Sequence, residues 1–350
     1  MCLLNIAKRE VLRIAVRPLY LFCMIIAPVF CYLFFTTLMA NGLPTDMPAG
    51  VVDLDNTSTT RNIIRNLDAF QQTHIVAHYP SVMEARKAIQ RGEIYSFYYI
   101  PEGTTEATLA SRQPKVSFYV NYSYLIAGSL LYKDQRTISE LAAGAVGRAT
   151  LYAKGATEDQ AMAFLQPIVI DTHALNNPWL NYSVYLCNTL FPGILMLLIF
   201  LTTIYTLGEE VKNGTGRELM RLADNSITKV LIGKLLPHTL VFFVIAVFYN
   251  VYLYGYLHYP CHSGIFPMLL AGLLLVLSHR PRCIPFGLFG SFRLALSAAS
   301  LWGVISFSIS GFTFPVMAMH PTLQALSVLF PLSITFYYMP TLHSTVIHLF

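Results

Sequence analysis

The chain has 350 residues, of which 55% are hydrophobic and only 12% are charged. This composition excludes an ordinary soluble protein, and the length exceeds a single small domain, so we expect an integral membrane protein with a soluble part. The net charge of +5 does not indicate nucleic-acid binding, because much of it lies in short segments beside apolar runs.

The first 40 residues predict two elements. Residues 1–18 mix Lys8, Arg9, Arg13 and Arg17 with Leu and Ile at helical spacing, which predicts a basic amphipathic helix on a cytoplasmic membrane surface. A plain positive flank that sets orientation is the alternative. Residues 19–40 carry no charge and can cross a hydrocarbon core of ~30 Å, so they predict transmembrane helix 1.

Residues 41–180 predict an α/β domain large enough to bury its own core. A turn at residues 55–58 leads into a helix that runs through Ala69. Ser81 and Glu84 form a capping-box pattern for a second helix, and Gly92 is placed to end it. Residues 125–153 predict a long helix. The predicted strands are AGVVDL, THIVAHY, IYSFYYIP and KVSFYVNY.

One motif in this domain raises an enzymatic alternative. In VVDLDNT, Asp53, Asp55 and Thr57 match the DxDxT start of haloacid-dehalogenase-type phosphatases, whose two carboxylates act as nucleophile and acid/base. Such a site also needs a downstream acidic pair for Mg²⁺, and the chain contains no DD or GDxxxD. We therefore favour a structural turn, with Ser58 capping the next helix.

Residues 181–350 predict a transmembrane domain that brings the total to about six membrane helices, the last of them atypical. Further apolar spans cover residues 181–207 and 235–256, start at Ile265, and cover residues 294–317 and 323–350. The segment 206–234 between the second and third spans is charged. Its core, GEEVKNGTGRELMRLA, holds three Lys or Arg and three Glu.

Counting Lys and Arg in alternate short loops predicts the orientation. The segment before helix 1 has four, the 206–234 segment has five, and residues 280–293 have three, whereas residues 255–264 and 318–322 have none. The N-terminus and the charged segment are therefore expected in the cytoplasm, and residues 41–180 outside it.

The order of these elements resembles the ABC-2 type transporter permeases, especially bacterial multidrug exporters. That family carries an E-x-x-x-G-T-x-x-E-L-like signature between spans two and three, followed by G-K at span three. The matching residues are Glu210, Gly214, Thr215, Glu218, Leu219, Gly233 and Lys234. The outer domain is also similar to the family's, at Asp53, Ser58, Arg61, Gly92 and Pro101.

The resemblance implies a permease subunit that exports drug-like or lipid-like substrates from a bacterial inner membrane, with residues 41–180 in the periplasm. ATP would be hydrolysed by a separate ABC ATPase, since the chain has no GxxxxGK[ST] phosphate loop. Other implied partners are a second permease subunit in a homo- or heterodimer, membrane lipid, a periplasmic adaptor and an outer-membrane channel.

The resemblance also assigns residues to ATPase coupling, with a charged helix capped by the Gly214 and Thr215 turn. Glu210 and Glu218 are expected to make polar contacts with the ATPase, while Leu219 faces an apolar surface. The assigned residues are Glu209, Glu210, Gly214, Thr215, Glu218 and Leu219. A solvated loop that only sets orientation is the alternative.

Two stretches depart from the family pattern. In residues 278–286, Arg280, Arg282 and two prolines interrupt span four, and each Arg at a bilayer centre costs about 2.5–3.5 kcal/mol. Either that span is short, with its arginines at the cytoplasmic surface, or the stretch is a reading-frame error, which we favour. Residues 333–350 carry Pro340 and two histidines where the family has a clear final span, so the sixth span is atypical, either as genuine sequence or through a reading-frame error.

Other chemistry is not indicated. The six cysteines form no CxxC pair, the histidines are scattered, and no HExxH or GxSxG motif occurs, so we expect no metal, no cofactor and no catalytic residue. The competing hypothesis is a membrane-anchored sensor or ligand-binding protein whose outer domain recognises a ligand. Sensors usually carry a cytoplasmic signalling domain, which we do not find.

Overall fold

The structure is a computed structural model that describes residues 2–110, 112–171, 177, 180–260, 266, 269–270, 272–277, 291–311 and 314–327. The chain divides into two compact units. Unit 1 comprises Met1–Gly42 and Ala174–Phe350, and unit 2 comprises Leu43–His173. Unit 2 is therefore an insertion in the sequence of unit 1.

Unit 1 is helical wherever it has regular structure in the described residues. In chain order, its helices are α1 (Cys2–Val16), α2 (Pro18–Leu38), α8 (Tyr182–Lys212), α9 (Gly216–Leu222), α10 (Ile227–Tyr256), α11 (Phe292–Ile309) and α12 (Pro321–Ser327), and residues 272–277 are also helical. Within the described part of the chain, α2, α8, α10 and α11 are long and apolar enough to cross a membrane. The protein is thus a mostly helical, multi-pass membrane protein.

Residues 213–226 lie between the second and third spans, because α8 continues through Lys212 and α10 begins at Ile227. The predicted charged segment 206–234 therefore includes the last residues of α8 and the first residues of α10. Several of its charged residues are paired inside unit 1.

Several other predictions fall outside the described residues. These are the atypical stretches 278–286 and 333–350, most of the predicted sixth span, and parts of the fourth. Within the fourth span, Leu275 and Val276 are buried among side chains of α8 and α10.

Two local features shape α2. Arg17 is extended (φ −88°, ψ 122°) and Pro18 occupies the first helical position, so α1 ends and α2 starts in a new direction. Residues Phe22–Ile26 form a π-helical turn within α2. Beyond the far end of α2, the Gly42 carbonyl accepts a hydrogen bond from the Tyr182 amide at 2.9 Å, which joins α2 directly to the start of α8.

Unit 2 is an α/β domain. Its elements in chain order are β1 (Met47–Asp53), α3 (Ser58–Asp68), β2 (Thr73–His78), α4 (Val82–Arg91), β3 (Ser96–Ile100), α5 (Thr104–Leu109), β4 (Ser117–Val120), α6 (Leu125–Ala153) and α7 (Glu158–Leu165). The strands form a four-stranded sheet of order β2-β1-β3-β4. Strand β1 runs parallel to β2 and β3, and β4 is antiparallel to β3. Side chains from α3 and α6 pack with one cluster of sheet residues, and side chains from α4 pack with another.

The helix ends in unit 2 follow local capping chemistry, with one correction. Ser81 caps α4 by accepting from the Glu84 amide, and Gly92 ends that helix with φ 75°. Ser58, however, is the first residue of α3 and not its cap: Thr57 caps the helix and forms a reciprocal capping box with Thr60. The short helices α5 and α7 were not predicted.

The residues of the DxDxT motif make hydrogen bonds in the turn that follows β1. Asp53 Oδ1 accepts from the Asp55 and Asn56 amides at 3.1 and 3.0 Å. Asp55 Oδ2 accepts from the Thr105 amide at 3.1 Å and from its hydroxyl, which attaches the turn to α5. These bonds lower the pKa of Asp55, with the Thr105 hydroxyl as the largest cause. The geometry is that of a structural turn.

Replacing Asp134 by Asn is expected to stabilise unit 2 at neutral pH. This α6 carboxyl is buried and accepts one bond, from Thr73 Oγ1 at 2.7 Å, and burial raises its pKa. A raised acid pKa means that the native state prefers the protonated form, so stability falls as the pH rises through the folded-state pKa. Hydrogen exchange of β1 and β2 in the full chain should slow at pH 7, and the loss of protection as the pH rises above the ordinary range of a carboxyl group should shrink. Glu140→Gln, on an exposed part of α6, is the control; equal effects of both changes would contradict the prediction.

Candidate functional site

The charged segment between the second and third spans forms a defined structure, which we call the coupling segment and define as Glu209–Ala223. It starts in the last turn of α8, turns at Gly214 with φ 68°, and continues as α9. A left-handed φ of this kind favours glycine. Thr215 occupies the N-cap position of α9, and its side chain makes no capping hydrogen bond to that helix.

The Lys234 ammonium is the centre of a buried ion cluster at this site. It lies in α10, is 1% exposed, and donates to Glu210 Oε1 at 2.7 Å and to Glu10 Oε2 at 3.1 Å. Glu210 belongs to α8 and Glu10 to α1. One cation therefore joins three helices that are far apart in the sequence.

Glu210 has further partners that occupy its carboxylate oxygens. It pairs with the Arg13 guanidinium and accepts from the Thr215 hydroxyl, and Arg9 Nη2 lies 3.5 Å from its Oε2. Neighbouring Glu209 is also buried and pairs with Arg17 Nη1 at 2.6 Å. A buried charge that lost its partners would cost several kcal/mol, so these contacts strongly favour one arrangement of the segment.

A chain of hydrogen bonds extends the cluster into the membrane helices. His238 Nε2 lies 3.1 Å from both Glu10 Oε1 and Thr206 Oγ1, and Thr206 Oγ1 lies 2.5 Å from the Tyr20 hydroxyl. Burial alone would raise the pKa of Glu10, but the His238 hydrogen bond and the Lys234 charge outweigh it and lower that pKa. The stability that Glu10 contributes is thus fully present at neutral pH and lost on acidification.

An apolar cluster lies beside the ions. Ile6 of α1 packs with Leu219 and Ala223 of the coupling segment and with Val230 of α10. Gly233 lets α1 approach closely, because a Cβ at this position would lie 3.0 Å from Ile6 Cβ. Ionic and apolar contacts together hold the coupling segment against α1 and α10.

In this arrangement α1 directs its arginines toward the rest of unit 1, which the sequence did not predict. Two of its arginines, Arg9 and Arg13, contact Glu210, whereas its exposed residues include apolar Leu4, Val11, Leu12 and Val16. A surface helix would point its cations to water. Here the carboxylates of α1 and α8 attract the arginines inward, and an apolar face remains for lipid.

The structure separates the predicted site residues into two groups. Glu209, Glu210 and Leu219 are buried inside unit 1, Thr215 is half-buried, and Gly214 and Glu218 are exposed. The sequence analysis missed Glu10, Thr206 and His238, and it took Lys234 only as a motif residue. The available signal was an isolated polar residue inside or beside an apolar run, which in a membrane protein is rarely without a role.

The chemistry of the cluster is ionic and structural. In the ranges that the structure describes, no group of three His, Cys, Asp or Glu residues could hold a metal ion. The cluster can hold helix ends together and transmit displacement between them.

A double-mutant cycle should show that Glu10 and Lys234 act as a unit. Lys234→Met leaves two facing carboxylates without their shared ammonium and should lower the free energy of unfolding by about 3–5 kcal/mol. Glu10→Gln should cost less, about 1.5–3 kcal/mol, because Lys234 keeps Glu210. The double variant should be more stable than the sum of the two effects predicts.

Unfolding in mixed micelles of a mild detergent and SDS measures this cycle. The control is Lys229→Met, which removes the exposed Lys229–Asp224 pair (2.8 Å) near the same segment and should change stability little. Strictly additive effects of Glu10→Gln and Lys234→Met would contradict the shared-ammonium geometry.

Comparison with known proteins agrees with this architecture. Residues 18–347 match the family described as ABC-2 family transporter protein, a range that includes all four candidate spans, unit 2 and the coupling segment. No curated protein and no solved structure matches the chain significantly. The match covers far more than half of the sequence and confirms the resemblance drawn from the motifs: the chain belongs to the ABC-2 family of transporter proteins.

Proposed function

We infer from membership of this family that the chain is a membrane-spanning permease subunit of an ABC transporter, which works with an ABC ATPase and as a dimer. We propose that it is an exporter subunit, that the ATPase docks on the coupling segment, and that drug-like or lipid-like substrates leave through the paired spans. The catalytic work on ATP belongs to the partner.

The observation that carries this proposal is the attachment of the coupling segment to the spans. A force applied to a solvated loop would be absorbed by the loop. Here the segment continues α8 without a break, and Glu210 joins it through Lys234 to α10 and through Arg13 to α1. A push on this segment would therefore move three helices together.

The proposed orientation places the coupling segment in the cytoplasm and unit 2 in the periplasm of a bacterial inner membrane. The four Lys and Arg before α2 and the five in residues 206–234 support it. The domain limits that follow are a cytoplasmic helix 1–18, a first span 19–40, a periplasmic domain 41–180 and a transmembrane domain 181–350.

Substrate class and outer partners extend the proposal through the family resemblance. The aromatic residues Tyr32, Phe191 and Tyr249 are buried in a core cluster of α2, α8 and α10, so the proposed drug-like or lipid-like substrate class rests on the resemblance alone. A periplasmic adaptor and an outer-membrane channel would complete an export path, and the second permease subunit is either identical or a paralogue.

A ligand-binding role for unit 2 is the second candidate. A cavity of about 610 Å³ between α3 and α6 favours it, with Asn62 and Asn66 on one wall and Leu141 and Ala145 on the other. That volume suits a small ligand. The two functions are compatible, since an outer domain of a transporter can also bind a ligand.

Gly214→Val is expected to reduce co-purification of the ABC ATPase with the chain. A side chain at φ 68° costs at least about 1–2 kcal/mol, which should distort the turn of the coupling segment. Gly216→Val is the matched control, because Gly216 lies two residues away, is equally open around its Cα, and has no positive φ. Equal recovery of ATPase with both variants would place docking elsewhere, and no ATPase with the unchanged chain would refute the transporter assignment.

Cysteine labelling on intact cells tests the orientation. With the native cysteines replaced by Ser, a membrane-impermeant maleimide should label Lys87→Cys, on an exposed position of α4, after the outer membrane is opened. Asn213→Cys, exposed in the coupling segment, should react only after the inner membrane is permeabilised. The opposite pattern would invert the proposed topology.

A further inference from the structure

The fold buries some charged side chains of the coupling segment and leaves the others exposed. In sequence the segment is balanced, with Lys212, Arg217 and Arg221 against three glutamates. Glu209 is buried and paired with Arg17, and Glu210 is buried and paired with Arg13 and Lys234, so these two glutamates contribute little to the outer surface. Three exposed cations then face a single exposed carboxylate, that of Glu218.

The apolar side chains of the segment also differ in their exposure. Leu219 is 4% exposed because it packs on Ile6, whereas Arg217 and Arg221, four residues apart, share the opposite side of α9. Val211 is 78% exposed and Leu222 is 40% exposed. The outward surface is therefore cationic, with apolar side chains at both of its ends.

We infer that the coupling segment is recognised by an acidic groove of the ATPase that also offers apolar contacts to Val211 and Leu222. This inference rests on the proposed function and names the chemistry of its partner. It assigns the decisive contacts with the ATPase to Arg217 and Arg221, whereas the family resemblance assigned them to Glu210 and Glu218. Opposite charge across the interface accelerates encounter and fixes the register of docking.

An anionic lipid surface is the other chemistry that would attract three cations. Lipid phosphates would attract Lys212, Arg217 and Arg221, but Val211 lies in α8 and Leu222 in α9, so they do not belong to the apolar face of a single helix that could enter the membrane interface. Docking on a protein covers the cations and the apolar side chains at once, so the surface fits an ATPase groove better.

Reversal of two charges tests the inference. In the full chain co-expressed with its ATPase, Arg217→Glu/Arg221→Glu should lower the amount of ATPase recovered by about tenfold or more, since like charges across an interface are strongly unfavourable. Glu218→Lys should leave recovery unchanged or raise it. Arg61→Glu/Arg65→Glu, an exposed pair with the same spacing on α3 of unit 2, is the matched control for net charge and should have no effect.

A second variant separates docking from folding. Arg217→Gln/Arg221→Gln removes both charges without reversing them, and it should show an intermediate loss of ATPase with an unchanged gel-filtration profile. Recovery of ATPase by the unchanged chain should also fall between about 50 and 500 mM NaCl, as screening weakens exposed ion pairs.

The outcomes distinguish the two levels of the proposal. If the unchanged chain recovers no ATPase, the proposed function fails. If it recovers ATPase and the Arg217/Arg221 reversal does so equally well, the acidic-groove inference is wrong while the function stands. If instead the reversal abolishes only binding of the purified chain to phosphatidylglycerol vesicles, the cations serve the lipid surface and the inference is likewise overturned.

Discussion

The Lys234 ammonium is the contact on which unit 1 depends. It is buried among apolar helices, where an unpaired cation would be strongly unfavourable, and its two carboxylate partners come from α1 and α8. The attraction that satisfies Lys234 therefore also determines where α1 lies and where α8 ends. The turn at Gly214, the packing of Leu219 on Ile6 and the close approach at Gly233 all follow from that arrangement.

The same pairing explains how a nearly neutral sequence produces a cationic surface. A carboxylate beside several cations can either neutralise their charge at the surface or be drawn into the protein by a buried cation. In the coupling segment, Glu209 and Glu210 are drawn inward and Lys212, Arg217 and Arg221 are not. Sequence charge and surface charge thus differ in the coupling segment.

Local patterns were sufficient for much of unit 2 and for the existence of the spans. The caps at Ser81 and Gly92 and the long helix Leu125–Ala153 depend on neighbouring residues, so the sequence predicts them well. The cap at Thr57 was misplaced by one residue because both Thr57 and Ser58 can accept the bond, and only the turn geometry chooses between them. The ion cluster was beyond such reasoning, since Lys234 and Glu10 are separated by 224 positions and nothing local relates them. The family motif located Glu210 in the right segment but could not show that its carboxylate points into the protein.

The hydrogen bond between Gly42 and Tyr182 has a consequence for how this protein is assembled. This bond holds the backbone at Gly42 beside that at Tyr182, so the 139 residues between them begin and end at adjacent points. Insertions are tolerated best where the entry and exit of the chain are adjacent. We therefore expect that unit 2 could be exchanged for another domain with neighbouring termini, or shortened to a tight turn. The helices of unit 1 and their buried ion cluster should keep their places after such an exchange.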